Sequence, residues 1–498
     1  MTTTTLASQL SLSAERLKAG AYREALEITL AASRLPAAAP VEQVELAKRL
    51  LYFNQSDALR KRVAAMLAKP MGNAAAEADV AAMLSMAGDQ ALASRLLNRA
   101  MATIGPLAAH LYNRSQIRLY TGKLVEAEAD LRACLSREPG MAKAHWALSK
   151  LPKGEHGVRD IDAARQCLNR VPAGSQDEAF LHFALFNQLD RNGDLAEAWN
   201  HLQRGCQVKR ALLRYQPQDS EKLFQALRQA FALDAPVHAD RNRVVDSSGP
   251  IPIFIVGMHR SGTTLLERML GNHSQVSEGG ELYDFPAQLR LAAGRHFSGP
   301  LDSATVTAAS AFDWPALGQG YLDQVRWRAG DRPMLVDKLP SNFLNAGFIR
   351  RALPQARIVH MRRQAMDTCF SNLKELFSNA CAYSYDMAEL ADYYAGYRGL
   401  MAHWRETLPG AVLDVAYEDL AREPEAQGRR ILDFCGLAWE PACLDPGGNT
   451  RAVNTASSAQ VREPLHQRGI GAWRRYEAQL QPLQARLAGH GLADEVGL

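Results

Sequence analysis

Two patterns divide the chain. Through residues 1–235 apolar residues return at helical spacing in stretches rich in Ala, Leu, Arg and Gln, as in GAYREALEITL and GKLVEAEADLRACLSREP. β-Branched runs are few there, so the pattern predicts an all-helical region. From 251 onward apolar runs alternate with helical stretches: IPIFIVGM before TTLLERMLGN, PMLVDK before SNFLNAGFIRRAL, ARIVHMR before MDTCFSNLKEL, and AVLDVAYEDL before AQGRRILDFCGL. That alternation predicts an α/β domain over 251–498 with a central parallel sheet. Between the halves, PVHADRNRVVDSSGP (236–250) mixes proline, charge and Ser-Ser-Gly, the composition of a linker.

In the helical half a glycine is followed five residues later by alanine at Gly20/Ala25, Gly88/Ala93, Gly122/Ala127 and Gly193/Ala198. The first three glycines are 68 and 34 residues apart, and Asn54 and Gly157 fall near the missing steps. The glycine ends one helix at a tight turn, and the alanine lets the next pack closely against it. A period of 34 resembles the tetratricopeptide repeat, which implies a solenoid over 1–235 with a concave face for a partner or acceptor. An irregular helical bundle is the alternative.

Composition changes this picture little. With 498 residues, 47% of them apolar and 22% charged, the chain has room for two or three domains with real cores. A net charge of +4 argues against general nucleic-acid binding, so any basic site must be local. The seven cysteines are odd in number, spread out and without Cys-x-x-Cys, unlike a disulfide framework or zinc site. The N-terminus has no basic stretch before an apolar core, and no apolar run approaches the ~20 residues of a membrane helix. A cytoplasmic protein without a membrane span is expected.

The strand-like run IPIFIV leads straight into GMHRSGTT (257–264). A strand followed by Gly-x-x-x-x-Gly and a hydroxyl residue outlines a phosphate-cradling loop, except that Thr263 stands where a nucleotide triphosphatase carries lysine. A helix starting after Gly262 would turn its free amides and positive end toward an anion in the loop. Arg260 adds a forked cation, and Ser261, Thr263 and Thr264 add hydroxyl donors, while Gly257 and Gly262 permit close backbone approach. A plain glycine turn joining strand to helix is the bland reading. No convincing apolar run ends in a magnesium-binding aspartate; VDK (336–338) is the nearest, and its Lys338 would put a second cation there.

GMHRSGTTLLERML resembles the 5′-phosphosulfate loop of sulfotransferases, most closely that of tyrosylprotein sulfotransferases and of bacterial tetratricopeptide-repeat sulfotransferases. RIVHMRRQAMDTCFSN resembles the segment that binds the 3′-phosphate of 3′-phosphoadenosine-5′-phosphosulfate (PAPS), which places that role on Arg363 and Ser371. The resemblance covers about 251–480. It implies transfer of a sulfuryl group from PAPS to a hydroxyl acceptor by in-line displacement, with no metal. VDKLPSNFL resembles the segment with a donor-contacting lysine, implying that Lys338 and Arg260 stabilise the leaving phosphate oxygen.

For the general base, EGGEL (278–282) resembles the Gly-Glu segment after the loop in tyrosylprotein sulfotransferases, which implies Glu281; Glu278 and His259 are rivals. A carboxylate base works best where its environment raises its pKa, as partial burial behind the loop would. VAYEDL resembles the segment whose tyrosine contacts the adenosine, here Tyr417. NTASSAQVREPLHQRGIGAWRRYE resembles the donor-covering C-terminal segment, with Ser457 on the 3′-phosphate. The basic residue that often precedes the tryptophan is Ala472 here, leaving Arg474, Arg475 or Arg462 as substitutes. The rival readings are a nucleotide kinase or triphosphatase using the same loop shape, and a non-catalytic interaction protein. The acceptor is open: a peptide or protein held by the array, a glycan, a lipid or a small hydroxyl compound.

Overall fold

The computed structural model describes residues 5–36, 39–151, 157–232, 249–377, 379–449, 451–453, 455 and 467–496. Most of the expected linker, together with Ser457 and Arg462, lies outside these residues.

Helix fills the described part of the first half, from Leu6–Lys18 to Pro217–Ala230. Successive helices fold back as hairpins: Leu6–Lys18 on Tyr22–Ser33, Ala74–Met86 on Gln90–Ile104, Ala108–Tyr120 on Leu124–Arg137, and Gln176–Asn192 on Leu195–Ala211. The turns between them need a left-handed residue, and Gly20, Gly88, Gly122 and Gly193 have φ of 75°, 96°, 78° and 93°. Ala25, Ala93, Ala127 and Ala198 are completely buried, as a close helix crossing requires. Asn54, at φ 55°, makes the equivalent turn between Pro40–Tyr52 and Ser56–Ala68, since a short polar side chain tolerates this conformation. Gly157 plays no such part; it is the first residue of the helix Gly157–Leu168.

The second half is built on a five-stranded sheet: β1 (Ile251–Gly257), β2 (Val276–Glu278), β3 (Met334–Asp337), β4 (Arg357–Arg362) and β5 (Val412–Ala416). The order is β2-β3-β1-β4-β5, with each neighbouring pair parallel. β1 is central, with Ile253, Phe254, Ile255 and Val256 fully buried, which is why it reads as an unbroken apolar run. The loops leaving β1, β3, β4 and β5 therefore meet at one edge of the sheet, where ligands gather in such folds.

The two halves share a core. One apolar cluster runs from Ala142 through Phe224 and Phe231 to the sheet and on to Tyr476. Phe224 lies on Gly396, where an added Cβ would come within 2.6 Å of the ring, and Phe231 lies on Gly347, where the distance would be 2.5 Å. Phe231 also meets the edges of Phe348 and Trp404, each with ring centroids 5.1 Å apart. Arg210 reinforces the seam by donating to both carboxylate oxygens of Glu389, at 2.7 and 2.8 Å. Phe231→Ala is expected to cost about 3–5 kcal/mol, seen as a lower urea midpoint in a single transition. Two separate transitions, with the sheet half unchanged, would contradict a shared core. Among the described residues no helix is long and apolar enough to cross a membrane. All seven cysteines are buried free thiols.

Candidate active site

The loop after β1 is shaped by contacts that leave no room for side chains. A Cβ on Gly257 would lie 2.4 Å from the Met361 carbonyl oxygen of β4, and one on Gly262 would lie 2.6 Å from the Tyr417 ring. Gly262, at φ 101°, caps the helix Thr263–Gly271, whose first amides stay unpaired within the helix and surround the loop. Arg260 has φ 67°, a left-handed conformation costing an ordinary residue roughly 1–3 kcal/mol. Arg363 helps to hold it, donating from Nη1 to the Arg260 carbonyl at 3.1 Å.

A cluster of cations gathers beside the loop. Arg260 Nε donates to Ser371 Oγ at 3.3 Å, and its guanidinium lies 4.0 Å from Glu375. Glu375 is also bound by Lys150 of the helical half at 2.6 Å, which ties that half to the site. The Arg363 guanidinium stacks over the Tyr417 ring at 4.9 Å and donates to the Gly469 carbonyl. Gly469 must be small here, because a Cβ would sit 3.2 Å from Arg363 and 3.3 Å from the Tyr417 hydroxyl. Among the described residues, Ser261 Oγ and Arg363 Nε of this cluster are buried donors without partners. Orphaned buried donors of this kind point to a ligand that accepts from them.

A second cluster stands at the end of β3. Lys338 is fully buried, with Nζ 2.7 Å from Glu281 Oε1 and 3.7 Å from Glu267 Oε2. Glu267 projects from the loop helix and accepts the Gly280 amide at 3.0 Å, while the Gly280 carbonyl accepts the Lys338 amide at 2.9 Å. The turn carrying Glu281 is thus clamped from both sides. Burial pushes the Glu267 carboxyl above its usual range, with Lys338 opposing.

Residues 252–441 match the model of the sulfotransferase family. The C-terminal half carries a sulfotransferase-family domain. An uncharacterized protein of Aquifex aeolicus is 31% identical over 330 residues, covering 65% of this chain and 43% of that protein. Protein-tyrosine sulfotransferase 2 of Gallus gallus is 26% identical over 244 residues, covering 44% of this chain and 62% of the relative. The chain therefore spans only part of these curated relatives. Among solved structures, the sulfotransferase domain of the Synechococcus PCC 7002 olefin synthase aligns with 47% of this chain and 96% of its own, at 21% identity and a TM-score of 0.30.

Within the sulfotransferase domain the rival carboxylate and histidine are occupied. Glu278 lies 3.6 Å from the buried Arg268 and accepts from Asn449 Nδ2 at 2.5 Å, so it fastens Asn449 to β2. His259 packs edge-on against Phe377 at 5.7 Å, with Nδ1 3.4 Å from the Tyr383 hydroxyl. Burial pushes its pKa down to about 4, and the charges of Glu281, Lys338 and Arg260 all reach it. Asp337 is buried and bonded by the Tyr321 hydroxyl at 3.0 Å, and burial holds its carboxyl far above the usual range. Among the described residues no cluster of His, Cys, Asp or Glu could hold a metal ion.

Two of the substitutes considered for Ala472, Arg474 and Arg475, have partners of their own. Arg474 lies over the Trp473 ring at 4.9 Å and Arg475 pairs with Asp190 at 3.1 Å. Sequence reasoning passed over another buried cation of this region, Lys374, packed over the Phe370 ring at 5.0 Å. Burial pushes its pKa down, Asp190 opposes, and Arg260 and Arg363 lie close enough to lower it further. Its signal was present, three residues after Ser371 and so on the same helical face.

Proposed function

We propose that the protein transfers a sulfuryl group from PAPS to a hydroxyl acceptor, with the helical half as a tetratricopeptide-type array on the acceptor side. The observation that carries this reading is the Lys338–Glu281 pair at 2.7 Å beside a phosphate loop that lacks its lysine. Two anionic ends of one donor need two cradles, and the orphaned Ser261 Oγ and Arg363 Nε fit one to each. The loop amides with Arg260, Ser261, Gly262, Thr263 and Thr264 would hold the 5′-phosphosulfate. Arg363, Ser371 and Lys374, with Ser457 by resemblance, would hold the 3′-phosphate, and Tyr417 would border the adenosine.

In this mechanism the acceptor hydroxyl gives its proton to Glu281 as its oxygen bonds to sulfur. The bond from sulfur to the phosphate oxygen breaks, and that oxygen keeps the electron pair. Lys338 and Arg260 stabilise the charge growing there, a preorganised arrangement that needs no rearrangement during the step. A kinase reading is disfavoured by Thr263 in the lysine position and by Asp337 buried against Tyr321. A cytoplasmic location belongs to the proposal, and seven buried thiols fit a reducing compartment.

Calorimetry with 3′-phosphoadenosine-5′-phosphate (PAP) in EDTA tests the donor site. Binding is expected without metal, and Lys374→Ala and Arg363→Ala should each weaken it by about 1.5–3 kcal/mol. The losses should shrink for adenosine 5′-phosphate, which lacks the 3′-phosphate. A strict magnesium requirement, or equal losses for both nucleotides, would contradict the assignment.

A further inference from the structure

A pocket of about 470 Å³ opens where the helical half meets the sulfotransferase domain. Glu281 and Tyr283 line it from one side, and the helix ends bearing Tyr52 and Met86, with the turns after them, line it from the other. Its size falls within the range of small-molecule sites. Arg290 also lines it and is only 9% exposed. Its Nε and Nη2 donate to the carbonyls of Phe297 and Gly299 at 3.0 and 2.7 Å, and no carboxylate pairs with it among the described residues. Tyr22, Tyr52 and Tyr283 lie close enough for their phenols to act on its charge. Their hydroxyls have no hydrogen-bond partner among the described residues.

A buried guanidinium without a counter-charge is costly, and an anion entering the pocket would offset that cost through charge-assisted hydrogen bonds. Phenol hydroxyls beside it add further donors to an oxyanion. We propose that this pocket is the acceptor site, and that Arg290 with Tyr52 and Tyr283 receives a carboxylate on the acceptor while the acceptor hydroxyl reaches Glu281. The inference rests on the sulfotransferase reading and names its substrate class: a hydroxyl compound bearing a carboxylate. It also makes the turn tips of the helical half, rather than only a concave groove, a specificity-determining wall. Met86, 70% exposed at the end of its helix, stands on that wall.

The test is calorimetry on the full chain with saturating PAP, whose binding is measured first. Three phenols of similar size are compared: 3-(4-hydroxyphenyl)propionate, 4-propylphenol and tyramine. The carboxylate should bind at least about tenfold more tightly than the others. Arg290→Gln should abolish that preference. Because Arg290 also braces Phe297 and Gly299, Met86→Trp provides a second variant at an exposed position; it should narrow the pocket and weaken the carboxylate about tenfold, leaving PAP affinity unchanged. Equal affinities for the three phenols, no phenol binding at all, a preference that survives Arg290→Gln in a folded protein, or an indifferent Met86→Trp would each overturn the proposal. Absence of PAP binding would instead overturn the donor reading beneath it.

Discussion

Glu281→Gln should leave the fold and PAP affinity intact while turnover falls by about 10²–10⁴-fold, the usual cost of losing a general base. The amide is nearly isosteric, and its oxygen can still accept from Lys338 Nζ across the present 2.7 Å. What it cannot do is take the acceptor's proton. The loss should be smaller for a phenol than for an aliphatic alcohol, because a phenol oxygen sheds its proton more readily. Single-turnover rates with each acceptor separate this from a binding defect. Near-normal turnover in Glu281→Gln, with collapse in His259→Ala or Glu278→Gln, would move the base. Glu278 is bound by Arg268 and Asn449, and burial pushes the His259 pKa down to about 4, so the two variants report on groups held differently from Glu281.

Lys338→Met should slow transfer by about 10²–10³-fold, the scale seen when one preorganised donor to a developing oxyanion is removed. It also strips the cation from Glu281 and Glu267, so a lower unfolding midpoint is expected alongside the slower rate. A purely structural lysine would lower the midpoint without changing kcat in the folded fraction. The catalytic reading predicts a reduced kcat even well below the unfolding temperature, with PAP still bound. Wild-type kcat in folded Lys338→Met would remove Lys338 from the chemistry.

Much of this site could be read from the chain because it is local. GMHRSGTT carries its glycines, hydroxyls and arginine in one contiguous stretch, so their convergence needs only a strand, a turn and a helix start. Four of the five strands announce themselves as apolar runs, and β2 does not, since three residues are too few for a pattern. The Lys338–Glu281 contact joins residues 57 apart and depends on β2 lying next to β3, an ordering that no local pattern encodes. Gly469 was missed for the same reason: its importance comes from Arg363 and Tyr417, which fold against it. The helical half shows both outcomes. Its turn glycines and Asn54 obey backbone sterics and sit where the spacing puts them, whereas Gly157 begins a helix instead. Composition marks 236–250 as a change in pattern, yet Phe224 and Phe231, just before it, pack into the sheet half.

Incubation of the full chain with PAPS and a phenolic acceptor in EDTA, followed by mass spectrometry of the acceptor and quantitation of PAP, tests the proposed activity most directly. Sulfated acceptor and PAP should appear in equal amounts, and both should fall to near background in Glu281→Gln. Absence of product with PAPS, together with phosphorylated acceptor or nucleotide hydrolysis when ATP and magnesium are supplied instead, would contradict it.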